Sequence, residues 1–422
     1  MEHLTFIDMF AGIGGFRSGM EQAGHKCVGW IEWDKFARQS YQAIYDTKGE
    51  YNAKDIRQVQ GSDLPDSDVW CFGFPCQDVS NAGKQTGLLN GKRSGLFFEV
   101  VRLLQERARN KEALPKILFI ENVKNLLSID GGWGFARMQI ELGKAGYDIE
   151  WSVINSAEVI PQNRERVYIV GHKRGIDYSP VFPISRQNLE TKRKYSILRD
   201  VLELEVDEKF YLSKDKVEQL LANDKKSTFL KTGKVKIFGN TSNTGHGGED
   251  VLQEDGVSKT LTATDYKYPI QVATEVKQVG NISNSNSFGG NPQTGRVYDE
   301  AGLSPTLNTM QGGGREPKIL VEPCLTPDRL NKRQNGRRFK NDDEPSFTLT
   351  AQDRHGVLLS NGKTYAIRKL TPRECWRLQG FTDVQFDKAK DADISETQLY
   401  KQSGNAVTVP VIKSIAERME IK

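Results

Sequence analysis

Through the first 180 residues, short apolar runs alternate with stretches of helical spacing. Leu4–Ile7 is apolar and leads into the glycine-rich Ala11–Gly15, after which Phe16 to Ala23 reads as a helix. Cys27–Trp33, Tyr51–Ala53, Val69–Phe74, Lys116–Ile120, Glu150–Asn155 and Arg166–Gly171 read as strands or strand ends. Between them, Leu96–Arg109 sets Leu96, Phe97, Val100, Val101, Leu103 and Leu104 at helical spacing. Strands alternating with helices predict an α/β domain with a parallel or mostly parallel sheet.

From about residue 181 the pattern changes. The chain becomes rich in Gly, Asn, Thr and Ser, and helical periodicity fades. Seventeen of its 39 glycines lie between Gly233 and Gly362, whereas no tryptophan falls between Trp151 and Trp376. The expected division is therefore residues 1–180 plus 385–422 as one domain and 181–384 as a second. The second contains a repeat. Val251, Val297 and Phe339 each precede a Thr-Leu pair by nine positions (Thr260-Leu261, Thr306-Leu307 and Thr348-Leu349). Phe238-Gly-Asn is echoed at Val279-Gly-Asn. Spacings of 46 and 42 residues between units predict repeated β-turn-β structure, whose loops are suited to form a reading surface.

Composition narrows the classes. The chain has 422 residues, 37% hydrophobic and 27% charged, which suits a globular protein of two or three domains. No stretch approaches a membrane span, and Met1 to Phe10 lacks the basic start of a signal peptide. Five scattered cysteines argue for a reducing, cytoplasmic setting rather than a disulfide framework. No Cys/His cluster has zinc spacing, so no metal is expected. A net charge of +4 does not by itself announce a nucleic-acid binder.

Candidate chemistry gathers at the strand ends, where open α/β sheets bind ligands. Asp8 is expected just after the first strand, Glu32 at the end of the second, and Asp55 after Tyr51–Ala53. Pro75-Cys76 follows Val69–Phe74, and Glu121-Asn122 follows Lys116–Ile120. The loop Phe10-Ala-Gly-Ile-Gly-Gly-Phe16 lets backbone approach a ligand before a helix. Glu32, 20 residues beyond Gly12, suits ribose hydroxyls. Arg17 stands where a dinucleotide fingerprint has its third glycine, which disfavours a pyrophosphate and hence NAD. Cys76 opens a polar, glycine-punctuated stretch and is a candidate nucleophile, whereas Cys27, Cys71, Cys324 and Cys375 read as small buried hydrophobes. Glu121 ends an apolar run and could donate a proton to a base nitrogen or serve only in a salt bridge. Arg164 and Arg166 share one side of an extended segment and could grip a carbonyl or phosphate oxygen, or be plain surface charge.

Together these pieces resemble the DNA (cytosine-5)-methyltransferases of bacterial and phage restriction-modification type. The matching segments occur in family order: Phe6-Ile-Asp-Met-Phe-Ala-Gly-Ile-Gly-Gly-Phe16, Glu32-Trp33, Asp55-Ile56, Gly73-Phe-Pro-Cys-Gln77, Glu121-Asn-Val123, Gln162-Asn-Arg-Glu-Arg166, Arg368–Phe381 and Gln402–Pro410. The resemblance implies a Rossmann-like S-adenosylmethionine-dependent methyltransferase sheet with a smaller, mostly β or irregular target-recognition domain. It implies S-adenosylmethionine as cofactor, leaving as S-adenosylhomocysteine. Phe10 would stack on adenine, Glu32 would hold the ribose and Asp55 the adenine amino group. Asp8, Ala11, Gly12, Gly14, Trp33, Ile56 and Pro75 would line the same pocket. Asn405 and Val407 would return to it from the C-terminal end, so that the last helix packs on the first domain.

The resemblance also implies a reaction. Cys76 would attack C6 of a cytosine flipped out of duplex DNA. Glu121 would bond N3 and the exocyclic amine, while Arg164 and Arg166 would orient the base and steady the loop carrying Cys76. Gln77 and Ser80 would lie near the vacated space. The repeat region would be the target-recognition domain. Its Thr-Leu element corresponds to Thr260, Thr306 or Thr348, with Thr306 favoured by the surrounding residues and Thr348 by its place before the Arg368–Phe381 segment. Arg333, Arg337 and Arg338, within a basic stretch from Arg329 to Lys340, suit phosphate contacts. A monomer bound to duplex DNA in the cytoplasm, nucleoid-associated, is expected, with a restriction endonuclease as a separate partner. An RNA cytosine methyltransferase and a non-catalytic DNA-binding relative are the alternatives. The long recognition region argues against the first, and intact Cys76, Glu121 and Arg164 argue against the second.

Overall fold

The computed structural model describes residues 3–74, 95–184, 189, 195, 197–210, 237–240, 250–253, 256–261, 263, 270–276, 278–281, 296–299, 318–320 and 364–421. The first part runs β1 (Thr5–Met9), α1 (Gly15–Gln22), β2 (Lys26–Ile31), α2 (Lys35–Ile44), β3 (Tyr51–Ala53), β4 (Val69–Phe72), α3 (Leu96–Arg109) and β5 (Ile117–Val123). It continues through α4 (Trp133–Lys144), β6 (Tyr147–Asn155), β7 (Gln162–Asn163) and β8 (Glu165–Lys173). Seven strands form one sheet in the order β3-β2-β1-β4-β5-β8-β6. β8 alone runs antiparallel to its neighbours, as a short connection from β6 requires.

The central strands are buried on both faces, which is why they read as continuous apolar runs rather than alternating ones. In β5, Leu118 and Ile120 join the core formed with α3 and α4. Ile117 and Phe119 point the other way, into a core shared with Phe16 and Met20 of α1. Ile412 and Ile415 complete that second core from the far end of the chain.

These two isoleucines lie on α8 (Val409–Ala416), the last helix. It packs on α1 closely enough that a methyl group on Gly19 would meet Ile412 Cβ at 2.6 Å. Gly19→Ala should therefore lower stability by ~1–3 kcal/mol, read as a drop in unfolding midpoint, because neither backbone can give way. An unchanged midpoint would show that this helix pair is not close-packed.

Several boundaries differ from the sequence expectation. Asp8 lies inside β1, paired across to Trp30 and Cys71, rather than after it. Glu121 and Asn122 lie inside β5, because β8 continues the ladder to Val123. β2 and β4 stop earlier than expected, at Ile31 and Phe72. The helix at Leu96–Arg109 has the expected bounds.

The second part carries β9 (Ile237–Asn240), β10 (Asp250–Gln253), β11 (Ser258–Lys259), β12 (Gln271–Val276), β13 (Gln278–Asn281), β14 (Arg296–Asp299), β15 (Lys318–Leu320) and β16 (Thr364–Lys369). The repeat is visible in the pairing. β10 is antiparallel to β9 and parallel to β12. β14 is likewise antiparallel to β13 and parallel to β15. Even the register repeats, with Val251 opposite Gly239 and Val297 opposite Gly280. The unit is thus a hairpin plus a third, parallel strand, one strand more than expected. Thr306, the third unit with Thr348, and the basic stretch with Arg333, Arg337 and Arg338 lie outside the described residues.

After β16 come α5 (Pro372–Arg377), α6 (Asp383–Asp391), α7 (Glu396–Asn405) and α8. Thr371 and Glu374 close a capping box at α5, with Pro372 in its first turn, as Leu-Thr-Pro-Arg-Glu should. α5 faces two cores at once. Cys375 packs with Leu252, Leu261 and Val272 of the repeat region. Trp376 packs with Ile13 of the glycine loop and Ile44 of α2. Among the described residues no helix is long and apolar enough to cross a membrane.

Candidate active site

The carboxyl ends of β1, β2, β4 and β5 open on one crevice. The glycine loop after β1 is held by backbone in the left-handed region at Phe10 (φ 55°), Gly12 (φ 57°) and Gly14 (φ 82°). Phe10 has no glycine's freedom there, so the surrounding packing must hold it. Gly14 needs to be glycine for a second reason: a methyl group would strike the Tyr45 ring at 2.3 Å. At Gly12 the same methyl would meet nothing within 4 Å, so this face of the loop is open. Ala11 donates to Ile31 O at 3.0 Å, fastening the loop to β2.

Glu32 follows β2 and turns back toward the loop. Its Oε2 accepts from Gly12 N at 2.7 Å and its Oε1 from Asp34 N at 2.6 Å. Burial pushes this carboxyl above its ordinary range. Trp33 beside it is 69% exposed, with the Arg57 guanidinium 5.2 Å from its ring centre. Arg57 also pairs with Asp55 at 2.7 Å and holds that carboxyl below its usual range. Ile56 is core. Asp8 is fully buried, which raises its carboxyl well above the usual range, and its Oδ1 has no hydrogen-bond partner. Arg17 is buried too, but its side chain ties Glu21 and Glu50 together and faces Tyr41 and Tyr45. It is a brace for α1, which explains its presence where a phosphate-binding loop needs glycine.

The other half of the crevice is built on β4 and β5. Glu121 pairs with Arg166 through Nε at 3.0 Å, both side chains largely buried. Gly73 lies directly against it, at 3.4 Å from Glu121 Oε2 to a methyl built on the glycine. Asn122 donates through Nδ2 to Phe74 O at 3.1 Å. It thereby fixes the backbone two residues before Cys76. Pro75, Cys76, Gln77 and Ser80 lie outside the described residues.

Arg164, expected beside Arg166 in one grip, goes elsewhere. It is 3% exposed and donates to Leu261 O at 2.9 Å and Ala406 O at 2.8 Å. Asn405, the last residue of α7, is exposed, and Val407 packs on Gly15 of α1.

The residue pattern of this chain matches the model of the C-5 cytosine-specific DNA methylases over residues 4–420. The chain belongs to that family. Such methylases include similar curated proteins, of which M.SPRI, an orphan methyltransferase of Bacillus phage SPR, is 35% identical over 99% of this chain and 98% of its own. M.Rho11sI, an orphan methyltransferase of Bacillus phage rho11s, is 32% identical with the same coverage. M.HhaI, a type II methyltransferase of Haemophilus parahaemolyticus, is 28% identical over 98% of this chain and 93% of its own. Among solved structures, the Dnmt2 methyltransferase of S. pombe has a TM-score of 0.56 at 14% identity, covering 99% of this chain and 98% of its own. That likeness is one of fold. As a cytosine-specific DNA methylase the chain is a transferase, and the family implies S-adenosylmethionine as its methyl donor.

A methylase site read from sequence alone missed a buried polar cluster behind the crevice. Ser156 and Thr408 hydroxyls meet at 2.8 Å, Thr408 donates to Gln379 at 3.4 Å, and Gln162 donates to Leu378 O at 3.2 Å. Scattered over three stretches of the chain, they carry no periodic signal. Gln162, Gln379 and Thr408 lie in segments already singled out, and Ser156 does not.

Proposed function

We propose that the chain methylates carbon 5 of cytosine within a specific duplex DNA sequence, using Cys76 as the nucleophile on C6 of a flipped-out base. The observation that carries this reading is the Glu121–Arg166 pair at the end of β5, beside the Asn122–Phe74 tie that leads into Cys76.

The opposite half of the crevice suits the cofactor. Gly12 leaves its face open, and Glu32 keeps acceptor capacity on both oxygens after its two backbone bonds. Glu32 and Asp55 bring acidic groups rather than phosphate-binding cations, which matches a nucleoside bearing a sulfonium. Glu32 would hold the ribose, Asp55 the adenine amino group, with Phe10 and Trp33 flanking the ring and Asn405 closing the pocket. When bound there, S-adenosylmethionine supplies an electrophilic methyl group.

Residues of the chain do the remainder. The Cys76 thiolate adds to C6, and the electron pair displaced through the ring makes C5 nucleophilic. Glu121 bonds N3 and the exocyclic amine, stabilising the ring as it accepts that charge. Arg166 holds Glu121 in place. After C5 has been methylated, loss of its proton and departure of the thiolate restore the ring. Gln77 and Ser80 would face the gap left in the duplex, with Thr306 or Thr348 and Arg333, Arg337 and Arg338 on the recognition side.

Labelled S-adenosylmethionine and a random-sequence duplex pool, read by bisulfite sequencing, test the proposal. The expected result is 5-methylcytosine confined to one short sequence context or a few. Label entering tRNA and not duplex DNA would overturn it.

A further inference from the structure

We infer that Arg164 is a positioning residue which joins the docked Thr260-Leu261 unit of the repeat region to the backbone around Asn405. The inference rests on the assignment of Asn405 to the cofactor pocket.

The docking is continuous. β11 runs parallel to β7, with Ser258 opposite Gln162 and Lys259 opposite Asn163. Ser258 N donates to Pro161 O at 2.6 Å, and Thr260 Oγ1 donates to Asn163 O at 2.7 Å. Leu261 is then buried beside Val201 and Cys375. This copy of the repeat spends its threonine hydroxyl and its backbone on the first domain.

Arg164 turns that contact into a link. One Nη reaches Leu261 O at 2.9 Å, and the other reaches Ala406 O at 2.8 Å. Both lie 3.5 Å from Gly404 O. The guanidinium thus holds the carbonyls on either side of exposed Asn405 with one face of its fork and the Thr-Leu unit with another. A planar fork with fixed donor geometry transmits a displacement of one carbonyl to the other, which a flexible ammonium would not. Buried carbonyls that lose this donor are costly to leave unpaired, so the three segments are held as one.

The test measures S-adenosylhomocysteine affinity of the full chain without DNA. Thr260 touches no residue assigned to the cofactor, yet Thr260→Val should raise the dissociation constant about threefold, and Thr260→Ser should restore it. Arg164→Lys should raise it about tenfold. The double variant Thr260→Val/Arg164→Lys should bind no more weakly than Arg164→Lys, because both act through one link. Unfolding midpoints identify any variant that loses affinity by misfolding, and the Val/Ser pair at Thr260 stands by itself if Arg164→Lys does not fold. A Thr260→Val affinity within twofold of wild type, no rescue by serine, or multiplicative effects would overturn the inference while leaving the proposed function intact. A wild-type chain with no affinity for S-adenosylhomocysteine would overturn the cofactor assignment and the inference with it.

Discussion

Cys76→Ser is expected to reduce methyl transfer below detection while S-adenosylhomocysteine affinity stays within about twofold. The proposed reaction needs a thiolate at C6, and a serine hydroxyl without an adjacent base is a far weaker nucleophile. Three other cysteines show what this thiol must avoid. Cys27, Cys71 and Cys375 are buried, and burial pushes the Cys27 thiol up to about 12 and raises that of Cys71 well above its usual range. Neither of those two can supply thiolate near neutral pH. Cys76 instead follows Phe74, whose carbonyl Asn122 holds at the mouth of the crevice. Trapping on a duplex containing 5-fluorocytosine gives the complementary readout, with a covalent adduct for wild type and none for the variant. Turnover near the wild-type rate in Cys76→Ser would remove the thiol from the mechanism.

Glu121→Gln should lower kcat by about 10²–10⁴-fold with a much smaller change in the KM for DNA. The amide cannot exchange a proton with the base as a carboxyl group can, and it answers Arg166 without charge. The substitution also strips Arg166 of its ion pair, at a cost of ~1–3 kcal/mol in stability because the two side chains are largely buried. A thermal midpoint therefore has to accompany the kinetics. If kcat falls less than tenfold in a folded variant, Glu121 serves the Arg166 pair and not the base. That second outcome is the salt-bridge reading its sequence position also allowed.

The strand-end segments of the candidate site carry signals that are local. A run of apolar residues ending in Glu121-Asn122, a proline before Cys76 and a glycine loop before α1 all lie within a few residues of the groups they position. The helix at Leu96–Arg109 was legible to its ends for the same reason, since its periodicity is its own. What was misplaced depended on a partner strand. Asp8 sits inside β1 because β2 and β4 continue the ladder past it, and Glu121 inside β5 because the antiparallel β8 does. Arg17 and Arg164 were read as an obstacle to pyrophosphate and as half of a grip. Their actual partners, Glu50 in one case and Leu261 and Ala406 in the other, lie 33 to 242 residues away.

The repeat region divides along the same line. Its period, and the fact that each unit begins with an apolar residue nine positions before Thr-Leu, are properties of the sequence. The sequence by itself also determined the α/β class and the order of the family-type segments, and it singles out Cys76 as the candidate nucleophile. Only tertiary structure decided that Thr260-Leu261 docks on β7, and that one guanidinium spans it and the backbone around Asn405. Three nearly equivalent units present nearly equivalent local signals. The docking of Thr260-Leu261 depends on a strand edge and a buried cation, and both are supplied by residues far away in the chain.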